Sequence, residues 1–458
     1  MNRPTPSYES IHKWESYAAE LPTEYRQAIE EGLEIAEYEA LFNATFAMPK
    51  GDAKDRISDV LFDLVLNAPT REDYPYDEPS DLDGIRALCK PYPIQGALPD
   101  EDTLRDRIQG AWLGRVIGCL LGKPVEGIRT NELHPLLKAS GNYPMHRYIL
   151  SSDPTEEMYS SFKFKLQGRC FADTVDGMPV DDDTNYVVLA QKILDRYGRD
   201  FTARDVAKAW LKYQPKDAYC TAERVTYCNL VKGYQPPDTA LYKNPYREWV
   251  GAQIRGDYFG YINPGDPKTA ADMAFRDASI SHVKNGIYGE LFIAAMIAVS
   301  AVTDDLTEIL RGGLAEIPAT SRLYETINEL LTDYEHGVTS EEAFAKIHQR
   351  FDEHNGHDWC HTISNAMIVA ASLLYGAGDF GKSICLAVET GFDTDCNGAT
   401  VGSILGMRGG LSAIGEEWSA PVRDKLHTSI FGVGTVSIAD CARHTLLHLD
   451  LSKGGATT

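Results

Sequence analysis

Apolar residues recur at helical spacing along most of this chain. Leu104, Ile108, Ala111, Trp112 and Val116 fall on one face of a predicted helix in "DTLRDRIQGAWLGRVIGCLLGKPVEG". The same period predicts helices over 184–197, 271–280, 286–303, 321–334, 340–353, 361–375, 380–390 and 397–408. Nearer the N-terminus it runs through "YRQAIEEGLEIAEYEALFNATF" and "DRISDVLFDLVLNAP", then stops at the Pro- and acid-rich "TREDYPYDEPSD". Period-two alternation is sustained nowhere, so the expected fold class is all-α. The break suggests a helical N-terminal extension over 1–95 and a main domain over 96–458. Residues 141–180 read as irregular. Residues 214–270, rich in Pro, Gly and Tyr, read as a long folded loop region over the core.

Glycine has its own helical period. Gly110, Gly114, Gly118 and Gly122 are four residues apart, and so are Gly398, Gly402, Gly406 and Gly410. Each glycine inside a helix costs about 1 kcal/mol against alanine. Close approach of helix backbones compensates for such stripes. A membrane-helix reading fails, because Arg115 and Lys123 interrupt a short apolar run.

Composition narrows the functional classes. The chain has 458 residues, 43% hydrophobic and 24% charged, which is ample for a large core. Its formal charge of -23 repels phosphate backbones, so nucleic acid is not an expected partner. An anionic substrate would need local cations, from metal or arginine. Nine scattered cysteines without a CxxC pair fit a reducing compartment. The N-terminal segment lacks the apolar run of a signal peptide. The longest apolar run, Leu291 to Val302, is too short to span a bilayer. The expectation is a soluble cytoplasmic protein with no membrane partner; its oligomeric state is not legible.

Two acidic clusters stand at predicted helix starts. Asp181, Asp182 and Asp183 precede "TNYVVLAQKIL"; Asp393 and Asp395 lie in "GFDTDCNGATVGSILG". Helix N-termini favour negative charge, and one Asp per end is explained by capping. Five carboxylates exceed that need. A hard divalent cation with oxygen ligands would remove their repulsion.

These segments resemble the ADP-ribosylglycohydrolase family, relatives of the dinitrogenase reductase-activating glycohydrolase. "GAWLGRVIGCLLGKPVEG" resembles the family's first Gly-rich helix and Glu-bearing loop. "DDDTNYVVLAQKIL" resembles its Thr-Asp-Asp-Thr segment, and "FDTDCNGATVGSILG" its Asp-x-Asp-Thr segment. "RDASISHVKNGIYGELFIAAMIA" resembles the central segment that helps form the substrate pocket. The similarity covers roughly Asp102 to Gly410. It implies an all-α orthogonal helical bundle with two Mg²⁺ or Mn²⁺ ions between the Asp motifs. It also implies a glycosidase cleaving a ribosyl bond at ribose C1, with an ADP-ribosylated protein, an ADP-ribose derivative or a small nucleoside-like molecule as substrate.

Carried onto this chain, the resemblance makes Asp181, Asp182, Asp183, Asp393, Asp395 and Cys396 the expected metal positions. Glu126 becomes the expected general base, a role Asp395 could share. His282, Asn285, Tyr288 and Gly289 become the expected substrate wall. Family members commonly carry Thr at position 181 and Thr or Ser at position 396. Asp181 adds charge and Cys396 softens one position, which would move metal preference toward Mn²⁺ or Zn²⁺.

Two other readings start from the same residues. "HNGHDWCH" places His357 and His361 at i, i+4, as in zinc sites and, with Asp358, as in HD-type phosphohydrolases. Crystallins also resemble this family, so a non-catalytic, ligand-binding member is the other alternative.

Overall fold

The computed structural model describes residues 14–449. Among these are 23 α-helices and only one two-stranded ribbon, Leu426–His427 against Thr435–Val436. The all-α expectation holds. At the centre lies the helix Lys284–Ser300, buried at every position from Asn285 onward. A helix apolar all round has no face for water, and neighbours cover this one on every side. The helix Thr362–Gly376 is buried nearly as completely.

The two glycine stripes face each other. Glu101–Gly122 and Thr394–Gly409 cross with their backbones in contact. A Cβ on Gly118 would lie 1.9 Å from the Gly398 carbonyl oxygen, and one on Gly114 2.1 Å from that of Gly402. Thr394 Oγ1 closes the far end by donating to the Gly122 carbonyl at 2.9 Å. The C-terminal end of the first helix is thereby held against the N-terminal end of the second.

Several sequence expectations need correcting. The region 214–270 is not a loop. It contains the helices Thr221–Lys232, Asp238–Leu241 and Asp257–Tyr261, with a 3₁₀ turn at Gln253–Arg255. Their apolar period is masked by buried polar residues such as Glu223, Arg255 and Asp257, which pair with one another or with neighbours inside the core. The run 25–46 is two helices, Tyr17–Glu30 and Glu39–Phe46. Gly32 at φ 72° breaks it, a left-handed conformation that glycine adopts without a Cβ penalty. The irregular reading of 141–180 holds apart from the short helix Glu156–Ser161.

Leu21, Ala28, Ile35, Phe42, Leu61, Phe62 and Val65 form an apolar cluster separate from the main core. Polar contacts attach it to the rest. Arg247 pairs with Glu24 at 2.8 Å and Glu31 at 2.6 Å, and Arg26 with Asp358 at 2.5 Å. His357 Nε2 donates to Glu30 at 3.0 Å.

This attachment is acid-sensitive. Burial opposes ionisation of Glu30, yet His357, His361 and Arg26 hold its carboxyl down to about 2, from an ordinary 4.5. Burial keeps the His357 ring neutral, below its ordinary 6.5. Both groups bind protons more readily when unfolded, so their contributions fade on acidification. His357 contributes fully above about 6.5 and loses its share below it. Glu30 contributes fully above about 4.5 and loses its share as pH falls toward 2. Glu30→Gln is expected to lower stability at pH 7 by about 1–2 kcal/mol, the worth of a charge-assisted hydrogen bond discounted for partial exposure. The deficit should shrink below about pH 4.5 and vanish near pH 2, measured by melting temperature across pH. A deficit unchanged at low pH would show that Glu30 acts by packing.

Candidate functional site

The two acidic clusters meet where the glycine helices converge. Asp181 is the N-cap of Asp182–Tyr197, its side chain accepting from the Asp183 N–H at 2.9 Å. Asp393 stands at the N-terminus of Thr394–Gly409 but makes no side-chain cap bond. Capping therefore explains Asp181 and none of the other four acids. Backbone strain marks the second cluster: Phe392, just before Asp393, sits at φ 57°. A bulky side chain rarely adopts that conformation unless its surroundings enforce it. Asn365 is part of that enforcement, accepting from the Asp393 N–H at 3.3 Å and from Asn397 Nδ2 at 2.8 Å.

Ligand-type atoms gather in two overlapping groups. Cys119, Asp181, Asp183 and Asp395 have donor atoms within 4.8 Å of one another, and so do Asp393, Asp395 and Cys396. Asp395 belongs to both. All of these residues are buried; Asp182 is half-buried beside them.

Crowding shows in the proton affinities. Burial and then Glu126 push Asp393 up to about 7. Burial raises Asp395 far above the carboxylate range, with Glu126, Asp181, Asp393 and Asp183 adding to it. Asp182 rises likewise through burial, Asp181 and Glu126. Asp183 rises through burial, although Arg115 opposes it. Glu126 thus faces Asp182, Asp393 and Asp395 electrostatically, from the loop that follows the first glycine helix. Burial opposes ionisation of Asp181 too, but Lys123 and the Asp183 N–H hold it below the usual range.

Two protein cations enter this cluster. Arg115 is 1% exposed. It donates to the Asp183 carbonyl at 2.8 Å and to Asp183 Oδ1 at 3.0 Å, and pairs with Asp257 at 2.9 Å. Lys123 Nζ lies 2.5 Å from Asp181 Oδ2. Asp183 Oδ2 and Asp395 Oδ1 remain buried without a hydrogen-bond partner. Orphaned carboxylate oxygens are costly to bury, and a hard cation is the partner that suits them. The residues present therefore fit a divalent ion.

Other predicted site residues fall elsewhere or act differently. Cys396 lies in the cluster, but burial and the surrounding aspartates raise its thiol far above the usual range, and it hydrogen-bonds Asp393. The residues of the expected substrate wall make contacts of their own. His282 is 1% exposed and its Nδ1 meets Ser281 Oγ at 2.7 Å. Asn285 Nδ2 donates at 2.8 Å to both Glu78 and Glu248, which share Arg322. Tyr288 donates to the Pro79 carbonyl at 2.5 Å. Gly289 lets its helix pass Thr362, where a Cβ would come within 2.4 Å. Asn285 and Tyr288 thus contact Glu78 and Pro79, while His282 and Gly289 pack inside the core.

Sequence reasoning missed Cys119, Lys123 and the Arg129–Trp359 stack, whose guanidinium lies 5.1 Å from the ring centroid. Arg129 is three residues beyond Glu126, and Cys360, next to Trp359, feels the charges of Asp393 and Glu126. "HDWCH" therefore borders the acidic cluster.

Its histidines also meet the N-terminal segment. His357 Nδ1 accepts from the Trp249 indole N–H at 3.0 Å, and His361 Nδ1 from the Ile363 N–H at 3.1 Å. A neutral imidazole that accepts at Nδ1 carries its proton at Nε2. His357 Nε2 meets Glu30 at 3.0 Å, whereas His361 Nε2, 3.8 Å from Glu30, is buried without a hydrogen-bond partner; Glu30, His357 and His361 bring ligand-type atoms within 4.8 Å of one another. Asp358 accepts from Arg26 and from the Asp352 N–H.

Among the described residues, no helix is long and apolar enough to cross a membrane. No curated protein matches the chain. A solved structure titled "ADP-ribosylglycohydrolase-related protein complex" is similar to it at 17% identity and a TM-score of 0.48, covering 76% of this chain and 98% of that one. The family description "ADP-ribosylglycohydrolase" matches residues 100–448, well over half of the sequence and the whole of the acidic cluster. The chain belongs to the ADP-ribosylglycohydrolase family.

Proposed function

We propose that the protein is a metal-dependent glycosidase that hydrolyses a ribosyl bond of an ADP-ribosylated protein, an ADP-ribose derivative or a small nucleoside-like molecule. One observation carries this reading. Two acidic helix N-termini and the Glu126 loop converge on one buried point, leaving Asp183 Oδ2 and Asp395 Oδ1 without partners. Asp182, Asp183, Asp393 and Asp395 would hold divalent metal, Mg²⁺ or Mn²⁺ in this reading. When bound, it supplies charge for the ribose hydroxyls and acidifies a nearby water.

The chain's own residues do the rest. Arg115 fixes Asp183 by one oxygen, which orients the other into the cluster. Asn365 fixes the Asp393 backbone. Glu126 stands against Asp393 and Asp395 and takes the proton of the attacking water at its carboxylate. Negative charge around the site stabilises an oxocarbenium-like transition state at ribose C1. Arg129, braced on Trp359, supplies a cation at the rim of an otherwise acidic site.

The test is a substrate panel with Mg²⁺ or Mn²⁺: ADP-ribosyl-arginine, ADP-ribosyl-serine, O-acetyl-ADP-ribose and nucleosides. Glu126→Gln keeps the shape and removes the basic oxygen. On the best substrate it should lower kcat by about 10²–10⁴-fold while the melting temperature stays near wild type. Undiminished turnover would remove Glu126 from the chemistry. No turnover by the wild type on any member would favour a non-catalytic protein.

A further inference from the structure

We propose that Lys123 takes the place of one of the two cations, so that the acidic site binds a single divalent ion per chain. The inference rests on the metal reading above and concerns its stoichiometry. Both oxygens of Asp181 are engaged, Oδ1 by the Asp183 N–H at 2.9 Å and Oδ2 by the Lys123 ammonium at 2.5 Å. A divalent ion at Asp181 would have to compete with the ammonium for the same carboxylate. The group that Asp181 shares with Cys119, Asp183 and Asp395 thus already holds a positive charge. A second divalent ion there would meet the ammonium at short range in a poorly solvated site, where like charges repel strongly. Its fourth member is Cys119, a soft sulfur donor. Sulfur suits a hard ion poorly.

The other group has no lysine. Asp393 and Asp395 bring their oxygens together there beside Cys396, a set that can hold one ion. Lys123 is anchored for its role. It opens the 3₁₀ turn directly after the first glycine helix, whose end Thr394 holds at the Gly122 carbonyl. Its side chain is 17% exposed.

The experiment counts ions. Full-length protein is stripped with chelator and titrated with Mn²⁺ by calorimetry, and bound Mn²⁺ is counted by equilibrium dialysis and inspected by electron paramagnetic resonance. Wild type is expected to bind one ion per chain and show an isolated-ion spectrum. Lys123→Met, close in length and uncharged, is expected to bind two and show a coupled pair. Lys123→Arg, which keeps the charge, should bind one. Two ions on wild type would overturn the inference and leave the metal reading intact. No binding at millimolar Mn²⁺ or Mg²⁺ would overturn both. A single ion on folded Lys123→Met would show that Lys123 does not exclude the second. Should Lys123→Met fail to fold, the wild-type count and spectrum still decide.

Discussion

Asp395→Asn is expected to abolish tight divalent-ion binding and, in the same protein, to raise the melting temperature of the metal-free form. Asp395 belongs to both ligand groups, and its Oδ1 is buried without a partner. Asparagine has the same shape and no charge. Losing one shared ligand should weaken Mn²⁺ binding by more than about 100-fold, since even outer-shell substitutions cost 10–100-fold. Stability moves the other way. Burial, and then Glu126 and three aspartates, raise the Asp395 carboxyl far above its ordinary value. A raised carboxylate pKa means that the native state binds the proton more tightly than the unfolded state. Its stability is therefore greatest below the ordinary value of 3.8 and is lost as pH rises toward the raised one. Asn397, two residues on, has its own partner in Asn365, so the local frame survives the change. Without metal, the variant should gain about 1–3 kcal/mol at pH 8, the usual cost of an unsatisfied buried group, and much less at pH 4. Melting curves of chelated protein at both pH values and Mn²⁺ titration at pH 8 check the two halves. Wild-type affinity in the variant would remove Asp395 from the ligand set. An unchanged melting temperature would show that the carboxyl is neutral for another reason.

Much of this site is legible in the sequence because chemistry with a period leaves a trace. The Asp triplet and the Asp-x-Asp pair each begin a strongly periodic helix, and both clusters meet in space. The glycine stripes are equally legible, because eight helix-disfavouring residues at four-residue spacing make sense only where backbones touch. That they face each other is not legible, since periodicity gives a face but no partner. Arg115 and Lys123 stand out in the sequence only as charges that break an apolar run. The buried carboxylates they neutralise lie far away along the chain, and no local pattern reveals such a pairing. The surroundings of the expected substrate wall are hidden for a related reason. Motif matching cannot show that Glu78 and Pro79 contact Asn285 and Tyr288. The helices within 214–270 are hidden because their buried faces carry Glu223, Arg255 and Asp257 in place of aliphatic residues. Periodicity of hydrophobicity is blind to a core held by ion pairs.

The other large effect is expected at the helix crossing. Gly118→Ala should destabilise the protein by at least about 3 kcal/mol, enough to leave a marginally stable chain largely unfolded at 37 °C. Two effects compete. Alanine favours the helix by about 1 kcal/mol, which alone predicts stabilisation. Its Cβ would lie 1.9 Å from the Gly398 carbonyl oxygen and 2.3 Å from the carbonyl carbon, and both are backbone atoms within a helix. They have no rotamer to adopt, so relief requires the two helices to separate. Separation also breaks the reciprocal contacts of Gly114 with Gly402 and of Gly110 with Gly406. The same movement would draw Lys123 and Glu126 away from Asp393 and Asp395, because Thr394 and Gly122 join the two halves of the site. Protein that remained folded should therefore bind Mn²⁺ more weakly. Gly356→Ala is the matched control. No atom lies within 4 Å of its added Cβ and its backbone is not left-handed, so its melting temperature should equal or slightly exceed wild type. Thermal and urea unfolding of the two variants side by side measures the difference. A Gly118→Ala protein as stable as the Gly356→Ala protein would show that the crossing tolerates a methyl group and that the stripe is not what sets its closeness.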